Sequence, residues 1–192
     1  MIRETIITTL NTDKSVHIAP MGIRVVDELI MIAPFKPSTT LDNINRNKQA
    51  VVNLTDDVRI FAGCLTGRYD WPTVPATVVA GQRLECSLSH LELEVKKIDD
   101  DKIRPKFFCE IKHQEMHRPF MGFNRAQSAV LELAILVSRL HMLPPDKIDA
   151  EIKYLEIALE KTAGDEEREA WSWLMSRISE FRLQQAAREN MV

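Results

Sequence analysis

The chain has 192 residues, 45% of them hydrophobic and 28% charged, the balance of a protein with an ordinary apolar core. A chain of this length buries about 70% of its unfolded surface on folding, so its core needs neither disulfides nor a structural metal. Its net charge of −3 excludes a general nucleic-acid binder, which presents a basic face.

The first half reads as strands separated by turn signals. Residues 6–10, mostly β-branched, form a first strand, residues 11–14 a turn, and residues 16–26 a second strand. After a short turn at Asp27 and Glu28, residues 29–33 form a third strand, ended by Pro34 and Pro37. A short helix over 41–47 and a fourth strand over 50–54 follow. Residues 56–65 fit helix or strand, and 67–75 read as loop. Residues 84–98 and 106–112 are expected to form a long antiparallel pair joined by the polar 99–102 turn. There Leu91, Leu93 and Val95 alternate with Glu92, Glu94 and Lys96, which predicts one wet face. About six antiparallel strands at this spacing suggest a small barrel, which removes exposed sheet edges.

From Asn124 the apolar period becomes helical. Leu133, Leu136, Leu140 and Leu143 form one stripe, Ile148, Ile152, Leu155 and Leu159 a second, and Trp171, Leu174, Ile178 and Phe181 a third. Pro144–Pro145 and Gly164–Asp165 separate them. The acidic run at 165–169 suits a solvated helix start. The expected fold is therefore α+β: a mainly β barrel over residues 1–120, with a three-helix region over 121–192 packed on it. Three scattered cysteines without a C-x-x-C pair, and an N-terminus too polar for a signal peptide, predict a cytoplasmic protein. The most apolar run, 129–137, contains Glu132 and is too short to span a membrane.

Several stretches carry candidate chemistry. In Ala33-Pro-Phe-Lys-Pro-Ser-Thr-Thr-Leu-Asp, the Thr39-x-x-Asp42 spacing fits a capping box. Capping uses only one of Ser38, Thr39 and Thr40, whereas a helix N-terminus beside Lys36 also suits a phosphate monoester. Both readings stand. In His17-Ile-Ala-Pro-Met-Gly22, proline and glycine inside a strand predict a bulge, at an edge or where a planar ligand approaches. His17 itself is expected to be structural. His113 and His117 lack the glutamate of a zinc motif and lie on an expected strand. Two histidines four apart converge on one ion only on a helix, so no metal site is expected. Asn124 is a helix-cap candidate, leaving Arg125 in a first turn, where a cation suits a facing anion or open solvent. No Ser-His-Asp set or Walker-type glycine loop occurs, so any catalysis calls for a borrowed reactive group.

Taken together, Ile7-Thr8-Thr9, Ala19-Pro20-Met21-Gly22, Lys36 with Thr40-Leu41-Asp42-Asn43-Ile44, and Val51-Val52-Asn53-Leu54 resemble the flavin reductase-like branch of the FMN-binding split barrels. The His17–Gly22 and Gly122–Gln127 segments are more specifically similar to small FMN-binding split-barrel proteins of methanogens and methylotrophs. Three departures occur: Asp13-Lys14 stands where the wider family tends to have Asp-Gly, Val16 replaces a common proline before the histidine, and Lys36 lies further from the threonine. The resemblance implies a homodimer with FMN near the subunit interface. It places the phosphate on Lys36, Ser38, Thr39 and Thr40, and the flavin ring along Ala19, Pro20, Met21 and Gly22 near His17, with Asn53 close by. Asn124 and Arg125 are implied to reach the flavin from the helical region. An oxidoreductase passing hydride from NAD(P)H or a pterin-like compound is the leading expectation, with no protein acid or base assigned. A non-catalytic flavin-binding or sensing module is the alternative. A haem- or coenzyme F420-binding barrel is a third, haem needing a ligand among His17, His90, His113 and His117.

Overall fold

The computed structural model describes residues 1–189. Strands β1 (Arg3–Leu10) and β2 (Val16–Val26) are joined by a turn in which Lys14 takes a φ of 68°, the left-handed conformation that glycine adopts more readily. Asp27 and Glu28 also have positive φ (48° and 67°) and turn β2 into β3 (Leu29–Ile32), as a two-residue hairpin with the twist of its strands requires. Helix α1 (Thr39–Asn47) leads into β4 (Gln49–Leu54), followed by helix α2 (Arg59–Leu65) and the short pair β5 (Thr73–Pro75) and β6 (Gln82–Leu84). Strands β7 (Ser89–Asp99) and β8 (Lys106–Met116) complete a closed antiparallel barrel in the order β1-β2-β3-β8-β7-β4. Ile7, Ile23, Ile32, Val52, Leu93 and Phe107 fill it, each almost entirely buried.

Three expectations for these strands need correction. No bulge interrupts β2 against β1: the register runs unbroken from Arg3 opposite Ile23 to Leu10 opposite Val16. Pro20 is tolerated because β3 reaches only Ile23–Val26, so residues 16–22 pair with β1 alone. Gly22 answers a close approach instead, since a Cβ there would lie 2.6 Å from Ile2 Cγ2. The expected strand over 84–98 is broken between β6 and β7. Asn53 Oδ1 accepts from Leu84 N–H (2.7 Å) and the Ser87 hydroxyl (3.0 Å), which bends the chain at that point. Finally, the outer face of β7 is not wet at Glu92, which has 0% exposure. Residues 77–79 lie over it, and its carboxylate accepts the N–H groups of Thr77, Val78 and Val79 at 2.5, 2.6 and 2.8 Å.

The chain divides into two compact units, residues 1–56 with 69–120 and residues 57–68 with 121–192. The segment 57–68, which contains α2, thus belongs with the later helices, although it lies before the boundary expected at residue 120. The later helices are α3 (Arg125–Ser138), α4 (Pro145–Thr162) and α5 (Asp165–Glu189). Their core contains Leu133, Ile152, Leu155, Trp171, Leu174 and Ile178 from the apolar stripes, together with Val58 and Ala62 from the 57–68 segment. Arg59 bridges Asp57 and Glu166 at 2.8 Å each, fastening α2 to the start of α5. In the acidic run, Glu167 is buried rather than solvated, because its carboxylate accepts from Gly164 N–H (2.8 Å) and the Gln127 amide (3.1 Å). Among the described residues, no helix is long and apolar enough to cross a membrane.

Candidate functional site

The first turn of α1 is built by its capping residue. Ser38, extended (φ −161°, ψ 147°) after Pro37, is the N-cap, and its hydroxyl accepts from Leu41 N–H at 3.3 Å. The capping box expected at Thr39 is therefore absent, since Thr39 is already the first helical residue and exposed. The N–H groups of Thr39 and Thr40, at the first two helical positions, have no intrahelical acceptor. Thr40 is buried and its hydroxyl lies 3.1 Å from His17 Nε2, so α1 and β2 meet at this point. Burial holds the His17 imidazole below its ordinary pKa, which keeps it neutral at physiological pH.

The approach to α1 is held by the β7–β8 loop. Ile103 C=O accepts from Lys36 N–H (2.8 Å), and Arg104 Nε donates to Ala33 C=O (2.7 Å) with its guanidinium 4.5 Å from the Phe35 ring centroid. The Lys36 ammonium pairs with Asp100 at 2.8 Å, and this contact holds the Asp100 carboxyl below its usual range. With side-chain exposures of 36% and 82%, this is a surface pair, which contributes little and yields readily to another anion. Lys36 and Arg104 thus bring two cations to the chain entering a helix N-terminus. Arg104 and Asp100 carry no sequence signal for this role, because only the folded loop brings them there.

Beside this turn, Ala19, Pro20, Met21 and Gly22 lie on the one-sided stretch of β2, where Met21 C=O accepts from the Thr5 hydroxyl at 2.8 Å. Asn53 stands apart. It has 0% exposure, and its amide donates to Ile6 C=O (3.2 Å) and the Thr8 hydroxyl (3.1 Å) while its carbonyl holds Leu84 and Ser87. Its polar atoms are consumed in holding β1, β4 and β6 together. Asn43, a residue not singled out for a role, is the corresponding tie for α1. It is buried, donates to Thr9 and Asn11 and accepts from Arg46.

In the second unit, Asn124 caps α3 as expected. Its Oδ1 accepts from Ala126 N–H (2.7 Å) and its Nδ2 donates to Thr162 C=O (3.0 Å), tying α3 to the end of α4. Arg125 is exposed and lines a cleft between α3 and α4 with Ser128, Glu132, Tyr154 and Ile157.

A second polar cluster lies on the outer face of β7 and β8, where His90 is opposite Glu115 and Glu92 is opposite His113. His90 is fully buried. Its Nε2 lies 3.1 Å from Glu92 Oε1 and its Nδ1 lies 2.9 Å from His117 Nε2. Burial pushes the Glu92 carboxyl up, but the N–H groups of Val79, Thr77 and Val78 and the His90 ring together outweigh it and hold its pKa at about 2.

The closed barrel resembles that of the FMN-binding split-barrel flavoproteins. The chain belongs to DUF447, a protein family of unknown function: residues 3–118 match its N-terminal domain, and residues 124–176 match a second model of that family. No curated protein matches the chain. Among solved structures, it is similar to an FMN-bound DUF447 protein from Methanosarcina mazei, with 20% identity over 92% of this chain and 94% of that one, and a TM-score of 0.78. The 2-nitrobenzoate 2-nitroreductase of Pseudomonas fluorescens matches with 25% identity over 59% of this chain and 64% of its own, with a TM-score of 0.53. Flavoredoxin from Methanosarcina acetivorans matches with 13% identity over 63% and 72%, with a TM-score of 0.54.

Proposed function

We propose that this chain is an FMN-binding oxidoreductase of the cytoplasm, working as a homodimer with the cofactor near the subunit interface. The observation that carries the reading is the α1 start. Lys36 and Arg104, the free N–H groups of Thr39 and Thr40 and the exposed Thr39 side chain form a donor set suited to a phosphate monoester, and the FMN-bound relative shares the fold around it. Ser38 serves this site chiefly by fixing the helix start, and His17 by holding Thr40. The one-sided β2 stretch from Ala19 to Gly22 offers an open strand edge along which a flat ring can lie.

Bound FMN supplies a hydride acceptor at its N5. The protein's part is to bind and orient it, with reduced nicotinamide or a pterin-like compound as the donor. The placement in a reducing compartment is supported by the Cys64 and Cys109 thiols, which burial pushes up to about 12 and so keeps protonated.

Mixing the FMN-loaded protein anaerobically with NADH, NADPH and a reduced pterin tests the catalytic part. Bleaching of the flavin absorption band by at least one donor is expected. A band unchanged by all three would overturn the oxidoreductase reading and favour a non-catalytic flavin-binding module.

A further inference from the structure

The histidine cluster on β7 and β8 is a donor set of its own. One ligand atom from each of His90, His113 and Glu115 lies within 4.8 Å of the other two. Two ligands of one tetrahedral zinc ion stand about 3.3–3.5 Å apart, given metal–ligand distances of about 2.0–2.2 Å, so modest side-chain rotations suffice to close the set. His113 Nε2 and Glu115 Oε2 are already 3.7 Å apart, too far for a hydrogen bond and close to that spacing.

A second observation points to a ligand independently of this clustering. His113 Nε2 is buried and has no hydrogen-bond partner, the single side-chain atom so placed among the described residues. A buried ring nitrogen left unpaired is costly, and an ion bound there removes that cost. His90 carries the matching feature. With Nε2–H donated to the Glu92 carboxylate, its Nδ1 is left with a lone pair, in the arrangement by which a carboxylate orients a metal-ligating histidine. That Nδ1 now shares a proton with His117 Nε2 at 2.9 Å, a contact it exchanges for the ion.

We propose that His90, His113 and Glu115 bind one divalent transition-metal ion of the zinc class across β7 and β8, with Glu92 orienting His90. Two imidazole nitrogens and one carboxylate oxygen suit such an ion better than calcium or magnesium, which take oxygen ligands. Glu115 and Glu92 together balance its charge. The site is separate from the α1 start and does not depend on the flavin reading. Sequence spacing misses it because the residues that converge with His113 are Glu115, two positions along β8, and His90 from the opposite strand, rather than His117.

Calorimetric titration of the full chain with zinc chloride tests this, with cobalt(II) absorption as a readout of tetrahedral geometry. One zinc ion per chain with micromolar or tighter affinity is expected. His113→Ala and Glu115→Gln should each weaken it by about tenfold or more. Their side chains are 29% and 52% exposed, so both variants are expected to fold, which circular dichroism checks. His141→Ala, at an exposed histidine outside the cluster, should bind as the wild type does. The absence of saturable zinc binding would overturn the proposal, as would unchanged binding by folded His113→Ala and Glu115→Gln.

Discussion

Replacing Glu92 with alanine is expected to lower the unfolding free energy by roughly 2–4 kcal/mol, because each buried donor left without an acceptor costs about 1–3 kcal/mol. Three backbone N–H groups and the His90 ring lose their acceptor at once, and water entering over residues 77 and 78 recovers only part of that cost. Glu92→Gln, which keeps the shape and one acceptor oxygen, should lose less. Both losses depend on pH in the same way, because the titrating group is the wild-type carboxyl. The Glu92 carboxyl is held at about 2 in the folded protein against an ordinary 4.5, so the unfolded chain takes up the proton first as pH falls. The stabilisation is therefore complete above about 4.5 and disappears as pH falls toward about 2. Urea titrations of wild type and Glu92→Gln should show their difference shrinking through that window. A difference that persists undiminished at the acid end would show that the carboxylate charge is not what holds the 77–79 segment.

The second large effect is on cofactor affinity. Lys36→Ala should weaken FMN binding by roughly 1.5–3 kcal/mol, the range for a charge-assisted contact, or about tenfold to a hundredfold. Stability should hardly change, since the Lys36–Asp100 pair is exposed. Lys36→Arg should restore much of the affinity, because the site needs a cation near the phosphate more than a particular shape. Fluorescence titration of FMN reads all three proteins, and equal affinities would place the phosphate elsewhere.

What could be read in advance followed local periodicity. The bounds of β2 and the stripes of α3, α4 and α5 depend on residues a few positions apart, and the β2–β3 turn on a dipeptide. What could not be read depended on distant chain. Glu92 alternates with Leu91 and Leu93 as a solvent-facing residue should, and only the folding back of residues 77–79 buries it. Likewise, β6 ends because Asn53, some thirty residues earlier, reaches Leu84 and Ser87. Helix α2 is a seven-residue run, too short for either period to show clearly. At the candidate site, Lys36 and the hydroxyl run were visible as chemistry. The division of labour among them was not: Ser38 caps, Thr40 pairs with His17, and Thr39 stays exposed. Pro20 and Gly22 stand out within a strand sequence, but neither marks a bulge. One reflects a strand paired on a single side, and the other a close approach by Ile2.

The central claim is that the start of α1 holds the phosphate of FMN. Titrating FMN with the purified protein, while following the flavin fluorescence, tests it most directly. Saturable quenching at micromolar protein is expected, with riboflavin, which lacks the phosphate, binding at least about tenfold more weakly. No quenching by FMN, or equal affinity for FMN and riboflavin, would contradict it.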